Sequence, residues 1–377
     1  MIKPDLDKVS NWIFNLTWTK FYCFFLTILV VKTGVWFIPN LEIYRQISIN
    51  PFTNPFVGNE NAQYLVWSWL GPFIAWTLKV SSFGAFFALH ALFLVAFFAS
   101  SLRLIHKNLP TREARISAAI FITLPFSSTG LYWVGMDALT LLLMAQILVF
   151  RKNLVVSFIL AVLLGMQHFE QGVVAVVILA IFEVLNRRST SDPHARKALF
   201  HLCLILGLGI GRALLTLIFE LNGMNLNSGR LYLYLNSFAG LADLFINNVQ
   251  IIVWSTLAVG WFLLIALYKG SPTHSRNLLL ASLMSALSAI LVFDQTRVAA
   301  IVSFMFIATG LLLQNNLLKM LSNRLVTIYL GLWAIIPFTW VFGGVVKTSV
   351  IAFDVAWAVR IVGLLFSADI PANTPLF

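Results

Sequence analysis

Charged residues are scarce in this chain, and their scarcity argues against a soluble protein. Of the 377 residues, 10% are charged and 60% are hydrophobic, whereas soluble globular domains carry roughly 25% charged residues. Apolar runs of about 20 residues recur along the whole length, enough to cross a bilayer core of about 30 Å. The alternating segments of about ten residues that mark a transmembrane barrel are missing. The composition therefore predicts an all-α, polytopic membrane protein.

Cysteine and the common soluble-enzyme motifs are also lacking. Cys23 and Cys203 both lie in apolar stretches, so no disulfide framework or metal-ligand spacing follows from them. The sequence contains no Walker loop, no dinucleotide-binding fingerprint and no clear internal repeat. Any chemistry must therefore be sought in isolated polar residues among the apolar runs.

The basic residues account for the net charge of +11. Most of the 25 Lys and Arg residues lie in alternate loops, such as 103–115 and 187–197, as the positive-inside rule expects of cytoplasmic loops. This placement indicates membrane topology, aided by anionic lipid, and does not indicate nucleic-acid binding. It predicts a cytoplasmic N-terminus.

The apolar runs predict ten or eleven spans in a single integral membrane domain, residues 1–377. We expect a first helix over about 17–39, followed by an external loop, 40–81. Within this loop the aromatic segment 64–79 predicts a helix lying in the membrane interface. A second large external segment is predicted at 222–247.

The sequence around His168 predicts a helical hairpin within the membrane. LVVSFILAVLLGMQ would lead outward, HFEQ would form the turn, and GVVAVVILAIFEVL would lead back to Arg187. Each of these helices is only about 14–16 residues long, so the turn would lie below the headgroups in a protein-lined cavity. Towards the C-terminus we expect another helix over 325–345.

Acidic residues number only 14, and the predicted topology places several on the outer side. They occur in four polar clusters: Asn59-Glu60-Asn61-Ala62-Gln63-Tyr64, Gly135-Met136-Asp137, His168-Phe169-Glu170-Gln171 and Asp294-Gln295-Thr296-Arg297. Ionisable groups near the membrane interior cost several kcal/mol if unpaired, so they tend to face a cavity and to have a functional role there. If the clusters converge, they form an outward-facing polar cavity with carboxylates, one His and one Arg.

That set of side chains suits the transfer of a group from a lipid-phosphate donor. A carboxylate can take the proton from an attacking hydroxyl. Arg212, Arg230 or Arg297 can hold the phosphate, because the guanidinium matches phosphate geometry bidentately. A phosphate departs as an anion, so no second carboxyl acid is needed, in contrast to glycoside hydrolysis.

The layout of residues 17–190 resembles the GT-C superfamily of membrane glycosyltransferases, which use polyprenyl-phosphate sugars. Glu60 with Tyr64 is similar to the acidic motif of that family's first external loop, and Asp137 in MDALTLLL is similar to its second acidic motif. HFEQ occupies the place of the family's polar turn. The family's acidic pair begins with Asp where this chain has Asn59, so the resemblance leaves open whether a divalent cation takes part.

The resemblance implies a GT-C-like fold and a sugar transferase of the inner membrane. The donor would be a polyprenyl-phosphate sugar, and the acceptor would be a glycan, lipid or protein on the outer face. Glu60 would be the catalytic base, with Asp137 as its helper or alternative. Together with the polar clusters and the phosphate-binding argument above, the resemblance leads us to expect substrate-binding residues at Tyr64, His168, Glu170, Gln171, Asp294, Arg297 and Arg230.

Plainer interpretations stay open for each cluster. Glu60 can be a solvated loop acid, and Asp137 a favourable charge at a helix N-terminus. His168 and Glu170 can form a hydrogen-bonded turn, and the acid and base of the fourth cluster can form an i,i+3 ion pair. The same residues would also suit a flippase or transporter of lipid-linked oligosaccharides, or an O-antigen-type polymerase.

Overall fold

The computed structural model describes residues 6–57, 59–186, 194–224, 237–342 and 345–349, and most of them are helical. In chain order the helices are α1 (Leu6–Asn15), α2 (Trp18–Thr33), α3 (Leu41–Ile49), α4 (Glu60–Gln63), α5 (Leu70–Thr77), α6 (Phe83–Asn108), α7 (Thr111–Thr123), α8 (Pro125–Tyr132), α9 (Met136–Val149), α10 (Leu154–Leu185), α11 (His194–Leu221), α12 (Phe238–Leu257), α13 (Gly260–Tyr268), α14 (Pro272–Ser288), α15 (Gln295–Ile307), α16 (Asn315–Met320) and α17 (Asn323–Ile335). Strands β1 (Phe338–Phe342) and β2 (Val345–Ser349) pair antiparallel.

Five helices in the described residues are long and apolar enough to cross a membrane: α6, α10, α11, α12, and α15 with its continuation to Leu312. The number rises to seven if α1 with α2, bent by 115°, and α7 with α8, bent by 47°, each count as one span. The chain is therefore an α-helical membrane protein, as predicted. The predicted number of spans is higher because it included shorter apolar helices, such as α9 with 14 residues.

The chain reverses direction within α10. His168 has non-helical backbone angles, φ −149° and ψ 79°. Arg151, just before α10, donates a hydrogen bond from Nη2 to Oε2 of Glu183 near its end, at 2.7 Å. A straight helix of 32 residues would hold its ends about 48 Å apart. Helix α10 is thus a hairpin with arms 154–167 and 169–185, and the predicted turn at HFEQ is confirmed, with the break at its first residue.

Glycines set the contact between the first arm of this hairpin and α11. A Cβ atom on Gly211 would lie 2.1 Å from the carbonyl oxygen of Val162, and one on Gly165 would lie 2.4 Å from that of Leu208. Small residues at such interfaces let membrane helices approach closely. The glycines therefore fix the depth and angle at which the hairpin is held.

Helix α15 lies at the centre of the bundle. Of its span Gln295–Leu312, 94% is buried inside the protein, against 28–44% for the other four candidate spans. It packs on α8, α9, α10, α12 and α14. The other four spans expose apolar side chains such as Leu92 and Leu217, as expected of surfaces that face lipid. Any polar residue on α15 is consequently brought into the interior.

The structure corrects the first predicted helix and refines the segment that was predicted to be an external loop. The helix expected over 17–39 ends at Thr33, because Gly34 adopts a positive φ of 70° that favours glycine after a helix. The loop 40–81 contains α3, α4 and α5, so helices in this loop are confirmed. Segment 64–79 is a short 3₁₀ helix, Tyr64–Trp67, followed by α5. Leu65 and Trp69 are buried, so the start of this segment packs into the protein.

The helix predicted over 325–345 is wrong in its second half. Helix α17 ends at Ile335, and the residue before Pro337 is disfavoured from the helical region. Phe338–Phe342 is rich in aromatic and β-branched residues, which favour strands, and it forms β1 of the small hairpin. The apolar run is long enough for a helix. Its proline and its strand-forming residues nevertheless end the helix at Ile335 and favour a strand after it.

Candidate functional site

Asp137, His168, Asp294 and Arg297 converge at one end of the bundle, here called the acidic end. Arg297 donates a hydrogen bond from Nη1 to Oδ2 of Asp137, and its Nη2 lies 2.8 Å from Oδ2 of Asp294. His168 Nδ1 lies 3.4 Å from the other oxygen of Asp137. Three of the four predicted clusters therefore meet in space, although up to 160 residues separate their members.

Helix starts and the α10 turn position these four side chains. Asp137 lies in the first turn of α9, and Asp294 directly precedes α15. Both carboxylates gain from the positive end of a helix dipole. Gly135 is the N-cap of α9, and Asp294 makes no side-chain capping bond. Neither carboxylate caps its helix through a hydrogen bond. Both contact the guanidinium of Arg297 instead.

Gln167 ties the turn to its surroundings. Its Nε2 donates to the carbonyl of Met136 at 3.0 Å, and its Oε1 accepts from the backbone N–H of Gly71 at 2.9 Å. The next residue, His168, contacts Thr140 Oγ1 through Nδ1 at 2.9 Å. Helices α5, α9 and α10 are thus locked together beside Asp137.

A cavity of about 140 Å³ opens next to this network. Its polar lining includes four of the predicted substrate-binding residues, His168, Glu170, Gln171 and Tyr64, together with Tyr44. Asp294 and Arg297 also line it, and the rest of its wall is mainly apolar and comes from α10, α15, the segment before α15, and Ile38 and Leu65 near the start of the chain. The combination suits a ligand with one apolar and one polar part.

Several buried polar atoms at the acidic end have no hydrogen-bond partner among the described residues. They are Asp137 Oδ1, Asp294 Oδ1, Arg297 Nε and Gln171 Oε1. Buried polar atoms are normally paired, and an unmade bond costs about 1–3 kcal/mol. Gln171, Asp294 and Arg297 line the cavity, so a group bound there would lie beside their unpaired atoms, whereas Asp137 is not part of the lining.

The charge pattern bears on the predicted role of Arg297. Two carboxylates already engage its Nη1 and Nη2 groups, which leaves Nε for another acceptor. A phosphate at Arg297 would also lie close to two acids. The predicted phosphate contact thus stays a prediction, and the observed role of Arg297 is to hold Asp137 and Asp294 together.

The remaining predicted residues are distributed as follows. Glu60 begins α4, four residues before Tyr64, a residue of the cavity lining. Arg230 lies outside the described residues. Arg212 stacks on Trp67, with its Cζ 3.3 Å from the ring centroid, and lies 5.9 Å from the ring of Phe169 beside the turn.

Three residues of the site were not singled out by sequence reasoning. Thr140 could have been found, because it follows Asp137 by three residues and shares its helix face. Gln167 adjoins the predicted turn, and its position within a helix arm concealed it. Tyr44 gave no usable signal, because its place in the cavity depends on how the loop folds.

In the described parts of the chain, no group of three or more His, Cys, Asp or Glu side chains is placed to hold a metal ion, and participation of a divalent cation stays open. In comparisons with known proteins, the chain matches no family model, no curated protein and no solved structure.

Proposed function

We propose that this chain is a GT-C-type membrane glycosyltransferase. It would move a sugar from a polyprenyl-phosphate donor to a glycan, lipid or protein acceptor on the outer face of the inner membrane. The supporting observation is the cavity at the acidic end, where apolar walls meet the carboxylates of Glu170 and Asp294, His168 and two tyrosines, next to the buried ion pair of Asp137 with Arg297. In this proposal the acidic end faces outward and the N-terminus is cytoplasmic.

The order of elements along the chain also supports the proposal. The apolar helix α2 leads to a loop that contains helices α3 to α5. Helix α9 then begins with Asp137, and the α10 hairpin turns at His168. The same order of acidic loop, acidic helix start and polar helical turn underlies the resemblance to the GT-C superfamily. The GT-C-like fold is part of the proposal.

The proposed chemistry assigns each acid a separate task. Glu60, at the start of α4, accepts the proton of the acceptor hydroxyl as that hydroxyl attacks the sugar. Asp137 keeps one oxygen on Arg297, and its second oxygen is available to the substrate or to His168. His168, Glu170 and Gln171 position donor and acceptor, and the donor phosphate leaves as an anion.

The first test is transfer activity in membranes that contain wild type or Glu60→Gln at matched levels. Radiolabelled polyprenyl-phosphate sugars are supplied, and label on endogenous acceptors is followed. We expect Glu60→Gln to lower transfer by about a hundredfold, the scale for loss of a general base. Glu42→Gln is the matched control: it removes an acid from the same loop that is paired with Arg45 outside the cavity.

Other outcomes separate the parts of the proposal. Loss in Asp137→Asn with full activity in Glu60→Gln would move the base to Asp137. Equal losses of transfer activity in Glu60→Gln and Glu42→Gln would overturn the assignment of Glu60 as the catalytic base. Absence of transfer from every donor would overturn the glycosyltransferase proposal and favour the flippase alternative, which transport of a labelled lipid-linked oligosaccharide would test.

A further inference from the structure

A larger cavity, of about 560 Å³, lies at the opposite end of α9 and α10 from Asp137. It is formed by the last turns of α6 and α9, the loop after α9 and the first turn of α11. Six basic residues line it: Arg103, Lys107, Arg151, Lys152, Arg196 and Lys197. No acidic residue of the described chain belongs to the lining. We call this region the basic end.

Two of these cations have no ion-pair partner among the described residues. Arg151 pairs with Glu183 at 2.7 Å, but His201 lies 3.2 Å from the same carboxylate oxygen. Within the described residues Arg103 and Lys107 make no ion pair, and they are exposed. Six cations around one cavity, with no acid in its described lining, form a site that favours anions.

Helix dipoles do not account for all of these cations. Lys107 lies in the last turn of α6, where a cation is favourable. Arg196 and Lys197 instead lie in the first turn of α11, where the dipole disfavours positive charge. The helix dipole therefore does not explain these two cations.

Apolar side chains in the same lining narrow the class of ligand. Val149 and Phe150 line the cavity and are 38% and 42% exposed. Phe200 also lines it, beneath the guanidinium of Arg151, whose Cζ is 5.1 Å from the ring centroid. A small inorganic anion would leave these apolar side chains uncovered, whereas an anionic lipid would cover them with its acyl chains.

We propose that the basic end is a binding site for the phosphate headgroup of an anionic phospholipid. The arginines would hold the phosphate oxygens through paired N–H donors, and acyl chains would lie along Val149 and Phe150. Basic pockets between membrane helices bind phosphate-bearing headgroups in this way. The site does not depend on the proposed transferase activity, because it shares no residue with the acidic end.

The test measures binding of fluorescent phosphatidylglycerol to the purified full chain in a neutral detergent. The variant is Arg103→Gln with Lys107→Gln, and the matched control is Lys319→Gln with Arg324→Gln, which removes two exposed cations outside the cavity. We expect the cavity variant to weaken binding by about tenfold or more, because each cation near an anionic lipid contributes roughly fivefold. The control should change binding by less than about threefold.

Competition identifies the ligand. Unlabelled phosphatidylglycerol should displace the probe, whereas phosphatidylcholine should not. Displacement by inorganic phosphate at the same concentration as the lipid would overturn the lipid assignment in favour of a free anion. Equal weakening of probe binding in both double variants, or equal displacement of the probe by both lipids, would overturn the proposal that the basic end is a binding site. Wild-type-like thermal unfolding of the variants would exclude misfolding as the cause.

Discussion

At the acidic end, Asp137 is buried and shares the single guanidinium of Arg297 with Asp294, beside a cavity of about 140 Å³. At the basic end, six cationic side chains surround about 560 Å³, and several are exposed to solvent. Buried charges depend on each other, because removal of one partner leaves the other without compensation. Exposed charges contribute little to stability and remain available to a ligand. Substitutions at the two ends should therefore have very different effects.

The largest effect on stability is expected at Arg297. Arg297→Ala leaves the buried carboxylate of Asp137 without its cation, which costs about 3–5 kcal/mol. Denaturant unfolding in detergent measures the loss. Asp294→Asn is the matched variant and should cost less, because Arg297 keeps Asp137 as its partner. A loss below about 1 kcal/mol in Arg297→Ala would contradict a structural role for the shared guanidinium.

The next largest effect on stability is expected where α11 packs closely on α10, beneath the acidic end. Gly211→Ala places a methyl group against the backbone of Val162 and should destabilise by about 1–3 kcal/mol through overpacking. Gly209→Ala, two residues earlier on α11, meets no atom within 4 Å. It should be neutral or stabilising, because alanine has the higher helix propensity. Similar thermal shifts in both variants would show that the close packing of α10 on α11 is unimportant.

A somewhat smaller loss is expected at Gln167. Gln167→Leu removes the partner of the Gly71 N–H and one of the bonds to the Met136 carbonyl, which Thr140 Oγ1 also contacts, at a cost of about 1–2 kcal/mol. Because these bonds position His168, transfer activity should fall by more than the unfolding data alone would suggest. Gln146→Leu is a control, since the side chain of Gln146 donates a hydrogen bond to Ser100 near the basic end, away from the turn. Unchanged transfer in Gln167→Leu would show that the turn needs no such anchor.

The smallest effect on stability should come from the basic end. Arg103→Gln with Lys107→Gln removes two exposed charges without a described ion-pair partner, so the free energy of unfolding should change by less than about 0.5 kcal/mol. Unfolding in a neutral detergent checks this. A loss of 2 kcal/mol or more would indicate that these cations hold the fold together, and the contrast between the two ends would disappear.

The sequence predicted what depends on local pattern. The helical hairpin followed from two short apolar runs around HFEQ, and Arg151 and Glu183 at its ends bear it out. The strands after Pro337 were missed because apolar length was given more weight than strand propensity. Their signals, a proline and aromatic, β-branched residues, were present.

Long-range pairing was beyond sequence reasoning. Asp137 and Arg297 were each singled out, yet nothing local indicates that they bind each other across 160 residues. The i,i+3 pair of Asp294 and Arg297 was recognised as an alternative and is observed. The basic cavity was equally hidden, because the positive-inside rule counts cations in loops and cannot show which of them surround one space.

The shared guanidinium of Arg297 also affects the order in which the protein assembles during synthesis. Ribosomes add about 5–20 residues per second, so the 160 residues between Asp137 and Arg297 take roughly 8–32 seconds to synthesise. During that interval the nascent chain holds the acid of α9 without its cation, and the central helix α15 has not yet been made. The bundle can close around Asp137 only after α15 arrives, which makes assembly of the acidic end a late event in biogenesis.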